Sequence, residues 1–201
     1  MSGERLSGLE KMWQDLQQCD SDEVCKRGRL QFIDGAYVIP FMDSAYRIDP
    51  VQKSISNADG NVGTPVKSHL AMLLLAYLNG ADPMEPSGNW VTASQLPGGD
   101  LFFSGPHGLP VAPLLARYGE KPDEFLDRCR KLGAEVLEFG DASVSFSALP
   151  KLPVAFVLWA GDDEFPADLK VMFDSTADRH VPLDILLSLV RSVTDEILKL
   201  Q

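Results

Sequence analysis

The chain has 201 residues, 45% of them hydrophobic and 23% charged, which is enough for one substantial core and unlike a disordered polymer. Its formal charge of −11 and pI near 4.6 create a field that repels phosphate backbones and anionic headgroups at neutral pH. Nucleic acid and membrane surfaces are therefore excluded as general partners, and a small-molecule ligand or a protein with a basic patch is expected.

Leu6, Leu9, Met12, Trp13 and Leu16 recur with helical period among charges, which predicts an amphipathic helix over 4–18 rather than a secretory leader. Residues 1–24 are read as an N-terminal helical segment in front of one α+β domain over 25–201. No apolar run is long enough to span a bilayer, and the odd cysteine count fits a reducing compartment, so a cytoplasmic location is expected. Cys19 and Cys25 do not have the spacing of a zinc ribbon or a ferredoxin.

Alternation from Arg29 to Ile55, broken at Asp34-Gly35 and at Met42-Asp43-Ser44, predicts a small antiparallel meander. Residues 57–63 read as a loop. Thr64-Pro65 then opens, and Asn79-Gly80 closes, a helix whose body LAMLLLAYL is apolar nearly all round and so enclosed. His69 in its first turns reads as a packing residue. Trp90-Val91 suggests a short strand, and Leu96-Pro97-Gly98-Gly99 a sharp turn that brings two backbones close. Helices follow over 109–118 and 122–132, strands over 135–139, 142–146, 154–159 and 169–173, and a C-terminal amphipathic helix over 182–200. Because the strands cluster and do not alternate with helices, the fold class is α+β: a mostly antiparallel sheet, an enclosed central helix and a closing amphipathic helix.

The site is expected between Leu152 and His180. A buried strand delivers Asp162, Asp163 and Glu164 to its tip, a second strand ends at Asp174, and the two ends are expected to share one rim. Carboxylates there would suit a hard divalent cation, with Asp163, Asp174 and His180 as the metal candidates, although adjacent acids on extended chain cannot all point one way. His107, in SGPHG, and His180 could add acid/base chemistry if they approach, and are otherwise exposed loop residues. Trp90, Phe102, Phe103, Trp159 and Phe165 could line a pocket for a flat ligand such as a tetrapyrrole, or could pack in the core. Asp163 and Asp174 are expected to be dispensable for folding. With no nucleophile elbow, dinucleotide fingerprint or zinc-protease helix, no motif fixes a reaction, and whether the chain is an enzyme stays open.

Four segments, YVIPFMDSAYRID (37–49), LLLAYLNGA (73–81), SGNWVTASQLPGG (87–99) and LWAGDDEFPADLKVMFDSTA (158–177), resemble the family catalogued as domain of unknown function 3786, from anaerobic bacteria and archaea. The likeness runs from about residue 25 to the C-terminus. It implies a context in anaerobic one-carbon metabolism, where some relatives are attached to, or encoded beside, iron–sulfur and corrinoid proteins. The cysteine cluster of an iron–sulfur centre is not in this sequence. The resemblance thus implies a cytoplasmic binding or accessory domain for a corrinoid, another tetrapyrrole or a redox-protein partner. The alternative is a metal-assisted enzyme with a carboxylate/His site at the strand ends of 161–180.

Overall fold

The computed structural model describes residues 2–58, 65–104 and 107–199. Alternating residues build the expected meander: β1 (Gln31–Ile33), β2 (Ala36–Phe41), β3 (Ser44–Asp49) and β4 (Ser54–Asn57), each antiparallel to the next. Asp34 and Gly35, at φ 49° and 76°, join β1 to β2 with the positive-φ pair that a two-residue hairpin turn requires.

The other strands, β5 (Trp90–Thr92), β6 (Glu135–Val136), β7 (Ala142–Leu149), β8 (Leu152–Trp159) and β9 (Asp168–Asp174), form a second antiparallel sheet in the spatial order β5-β9-β8-β7-β6. There are thus two sheets. In β9, Leu169, Val171 and Phe173 face the core while Asp168 and Lys170 face solvent, the alternation of a sheet wet on one side.

Helices α1 (Ser2–Gln18), α2 (Ser21–Gly28), α3 (Ser68–Gly80), α4 (Gly99–Phe102), α5 (Ala112–Tyr118), α6 (Pro122–Lys131), α7 (Ala177–His180) and α8 (Leu183–Leu198) complete the fold. Leu73, Leu74, Leu75 and Tyr77 of α3 are fully buried, and α3 packs against both α1 and α8. From α1, Trp13 and Leu16 join the same core as Ile185, Leu186, Leu189, Val190, Val193 and Ile197 of α8.

Several boundaries differ from expectation. The Cys19–Cys25 segment is helical, because the Asp20 carboxylate caps it by accepting the amides of Asp22 (2.9 Å) and Glu23 (3.0 Å). Helix α3 starts at Ser68, after Lys67, with no side-chain cap; Thr64, the expected cap, lies outside the described residues, as does Leu200. Strand β6 stops at Val136, since the amides of Leu137 and Phe139 turn to the Ser143 carbonyl (2.9 Å) and hydroxyl (2.9 Å). The close approach at Gly98-Gly99 is real: a Cβ on Gly99 would lie 1.9 Å from the Ala93 carbonyl oxygen.

Candidate functional site: the two ends of a strand pair

Strands β8 and β9 are antiparallel, in register from Val154 opposite Phe173 to Trp159 opposite Asp168. The end of β8 that delivers Asp162, Asp163 and Glu164 therefore lies at the start of β9, whereas Asp174 ends β9 beside the start of β8. Between these ends the pair runs five residues, roughly 17 Å at the usual rise per residue. The expected shared rim does not exist, and Asp163 and Asp174 cannot bind one ion. Among the described residues no group of three or more His, Cys, Asp or Glu side chains is placed to hold a metal.

At the first end, Asp162 closes its own turn. Its Oδ1 accepts the amides of Glu164 (2.8 Å) and Phe165 (2.7 Å), and its amide donates to the Phe165 carbonyl (2.9 Å). Those amides, Phe165 first, hold the carboxyl below its ordinary value. The Gly161 amide ties the loop to the Gly119 carbonyl at 3.1 Å, after α5. Between this loop and the α5–α6 turn lies a cleft of about 690 Å³, with Arg117 and Lys121 on one wall and Asp162, Asp163 and Phe165 on the other. Asp163 and Glu164 stand in solvent. Phe165 is 68% exposed, Phe139 46% and Trp159 37%. The Lys170 ammonium lies 5.0 Å from the Trp159 ring centroid, and Gly140 backs onto the same ring. Asp141 accepts the Ala160 amide (2.8 Å), and Asp168 pairs with Trp159 across the strands. Exposed aromatic side chains and carboxylates thus share this end of the sheet.

The other end is closed. Asp174, 1% exposed, accepts the amides of Ser87 (3.0 Å), Gly88 (2.7 Å) and Thr176 (2.9 Å), together with the hydroxyls of Ser87 (3.1 Å) and Thr176 (2.7 Å). Burial pushes its carboxyl up, but the bonds from Thr176, Ser87 and Gly88 outweigh that push and keep it below the ordinary value. The irregular strap 82–89 is held from beneath by two further buried groups. Lys151, 1% exposed, donates to the carbonyls of Asp82 (3.1 Å) and Pro83 (2.8 Å) and pairs with Glu85 at 3.5 Å. His180 accepts the Asp82 amide at Nδ1 (3.2 Å), which places its own hydrogen on the enclosed Nε2, where it has no hydrogen-bond partner among the described residues. Burial first, then the Lys151 ammonium, lower its pKa against the pull of Asp82, Asp174 and Glu85. Asp174 is therefore built into the fold, contrary to its expected dispensability, and His180 is buried where an exposed loop residue was one expectation.

The remaining candidates are dispersed. His107 is exposed and stacks on Phe102 at 4.9 Å; Phe103 packs on Phe173 at 6.4 Å; Trp90 pairs with Asp174 at the strap end. Trp159 and Phe165 belong to the opposite end, so these aromatics do not line one pocket. Sequence reading missed Lys151, Ser87 and Thr176, which no local pattern marks. It also missed the pairing of His69 with Asp195 across a cleft between α3 and α8.

A family model described as "Domain of unknown function (DUF3786)" matches residues 20–196. No curated protein and no solved structure matches the chain. No helix among the described residues is long and apolar enough to cross a membrane.

Proposed function

Since the chain belongs to the DUF3786 family, which is itself described as a domain of unknown function, we propose its role from geometry: a binding or accessory domain that docks a protein partner through the Trp159–Phe165 end of the second sheet. One observation carries this reading. Three large aromatic side chains, Phe139, Trp159 and Phe165, stand exposed at one end of the second sheet, among Glu138, Asp141, Asp163, Glu164 and Asp168. Aromatic anchors supply much of the energy of protein interfaces, and the carboxylates here outnumber the neighbouring cations Lys170, Arg117 and Lys121, an acidic excess that steers basic partners. The partner that fits has an apolar contact surface inside a basic patch. Given the context that the family resemblance implies, a redox protein of anaerobic metabolism is the class of partner proposed, with both proteins in the cytoplasm. The metal-assisted alternative has no such support, because Asp162, Asp163 and Glu164 fall at one end of the pair and Asp174 and His180 at the other.

A basic cytochrome c is a suitable probe of this surface, titrated while tryptophan fluorescence is followed. The expected result is saturable binding that weakens with salt, falls at least about tenfold in Phe165→Ala, and falls further in Phe139→Ala/Phe165→Ala. Binding that ignores both salt and these substitutions, or no saturable binding, overturns the reading.

A further inference from the structure

Strap 82–89 shares no residue with the docking end, and it is held at two points of different chemistry. Its first half hangs on an imidazole and an ammonium: the Asp82 amide donates to His180 Nδ1, and Lys151 Nζ donates to the carbonyls of Asp82 and Pro83. Its second half hangs on a carboxylate, because the amides of Ser87 and Gly88 both donate to Asp174. The outer ties of the first half, Arg29 with Glu85 and Arg179 with Asp82, are ion pairs at the surface and hold it weakly.

A ring nitrogen that accepts a hydrogen bond carries no proton. A proton added at Nδ1 would point at the Asp82 N–H, donor against donor, and the imidazolium formed would be enclosed with the Lys151 ammonium. Its other hydrogen, on Nε2, has no acceptor among the described residues, so the closed structure offers the charged ring no compensating bond. The charges around the ring are Lys151 from the β7–β8 turn, Asp82 and Glu85 from the strap, Asp174 from β9, Asp178 and Arg179 beside it in α7, and Asp184 in the first turn of α8. Helix α3, which also packs on α7, ends there in Asn79-Gly80 without a charge. Burial and Lys151 prevail over the acids, so the closed ring is neutral at pH 7. The Asp82 carboxyl, held below its ordinary 3.8 by the Met84 amide, and that of Asp174 both stay ionised where histidines titrate.

We propose that 82–89 is a strap opened by acid: a proton taken from solvent by His180 Nδ1 releases residues 82–85, which swing away about the tie of Ser87 and Gly88 to Asp174 and bare Lys151. Only an N–H bond forms, and the Asp82 amide and the two carbonyls exchange their protein partners for water. In the open strap the ring meets water and regains its ordinary 6.5, so opening takes up one proton. It is therefore favoured by up to about tenfold for each pH unit below 6.5, and above that value the strap stays shut. Asp174, still ionised, keeps the far half in place and makes the opening a hinge motion rather than unfolding.

Residue-resolved hydrogen–deuterium exchange of the full chain at about pH 7.5 and 5.5, each rate divided by the intrinsic rate of that amide at that pH, tests the device. Protection of the Asp82 and Met84 amides should fall about five- to tenfold at the lower pH, while the amides of Ser87, Gly88 and strand β8 keep theirs. In the same wild-type protein the imidazole nitrogen signals of His180 should titrate over the range in which Asp82 protection is lost, a readout that needs no variant. His180→Asn places an oxygen where Nδ1 lies and does not titrate, so its Asp82 and Met84 protection should be equal at the two pH values. Unchanged protection of Asp82 and Met84 in the wild type, an equal fall at Ser87, Gly88 and β8, or a persisting fall in a folded His180→Asn protein overturns the proposal.

Discussion

At one end of the β8–β9 pair, Asp174 sits 1% exposed and takes hydrogen bonds from three amides and two hydroxyls; at the other, Asp163 and Glu164 stand in solvent while Asp162 caps only its own turn. The residue type is the same and the strands are the same. What differs is whether a second piece of chain crosses over. Strap 82–89 brings backbone donors to Asp174 and, with Lys151 and His180 beneath it, turns a carboxylate into a structural anchor. At the other end the α5–α6 turn meets the loop at Gly119 and Gly161 without covering Asp163, Glu164 or Phe165, which stay available to a partner. A buried acid is thus evidence for architecture here, and an exposed group of acids and aromatics for recognition.

The largest expected effect comes from cutting the anchor. Asp174→Ala strands three amides and should cost about 3–5 kcal/mol in urea unfolding, with proteolysis beginning within 82–89. Lys151→Met should cost about 2 kcal/mol by leaving the Asp82 and Pro83 carbonyls without their donor, while the apolar stem stays packed. Loss of stability in Asp163→Ala as large as in Asp174→Ala would erase the contrast between the ends.

Acid should produce a smaller, graded loss. His180 and His69 have folded pKa values below the ordinary 6.5, so the unfolded chain takes up their protons first. Their contribution is complete above 6.5 and declines as pH falls through and below it. The Asp174 carboxyl, held below 3.8, adds a second decline only under 3.8. Stability followed from pH 8 to 3 should show the first decline in the wild type and a weaker one in His180→Phe, if that variant folds; a flat profile from pH 7 to 5 contradicts it. The smallest effect is at the open end: Asp163→Ala and Phe165→Ala should each change stability by no more than about 0.5 kcal/mol.

Much of the fold could be read from the chain because its signals are local. Alternation and Asp34-Gly35 announce the first meander, the apolar circumference of 70–78 announces an enclosed helix, and the aliphatic run 154–159 announces a buried strand. The relation between Asp163 and Asp174 was misread even though its signal was present. Only eight residues, 160–167, separate β8 from β9, and a parallel crossover needs a dozen or more. A link that short makes the pair antiparallel and sends the two strand ends apart. The strap's anchors were not legible for a different reason: Lys151 lies in a hairpin turn, where a lysine ordinarily faces water, and its acceptors are nearly seventy residues away in the sequence. The pairing of His69 with Asp195 depends in the same way on how α3 packs against α8.

The most direct test is hydrogen–deuterium exchange of the full chain with and without the basic cytochrome c. The account predicts new protection confined to 137–141 and 159–168, with exchange in 82–89 unchanged. Protection that falls on 82–89 and spares the Trp159–Phe165 end would contradict it.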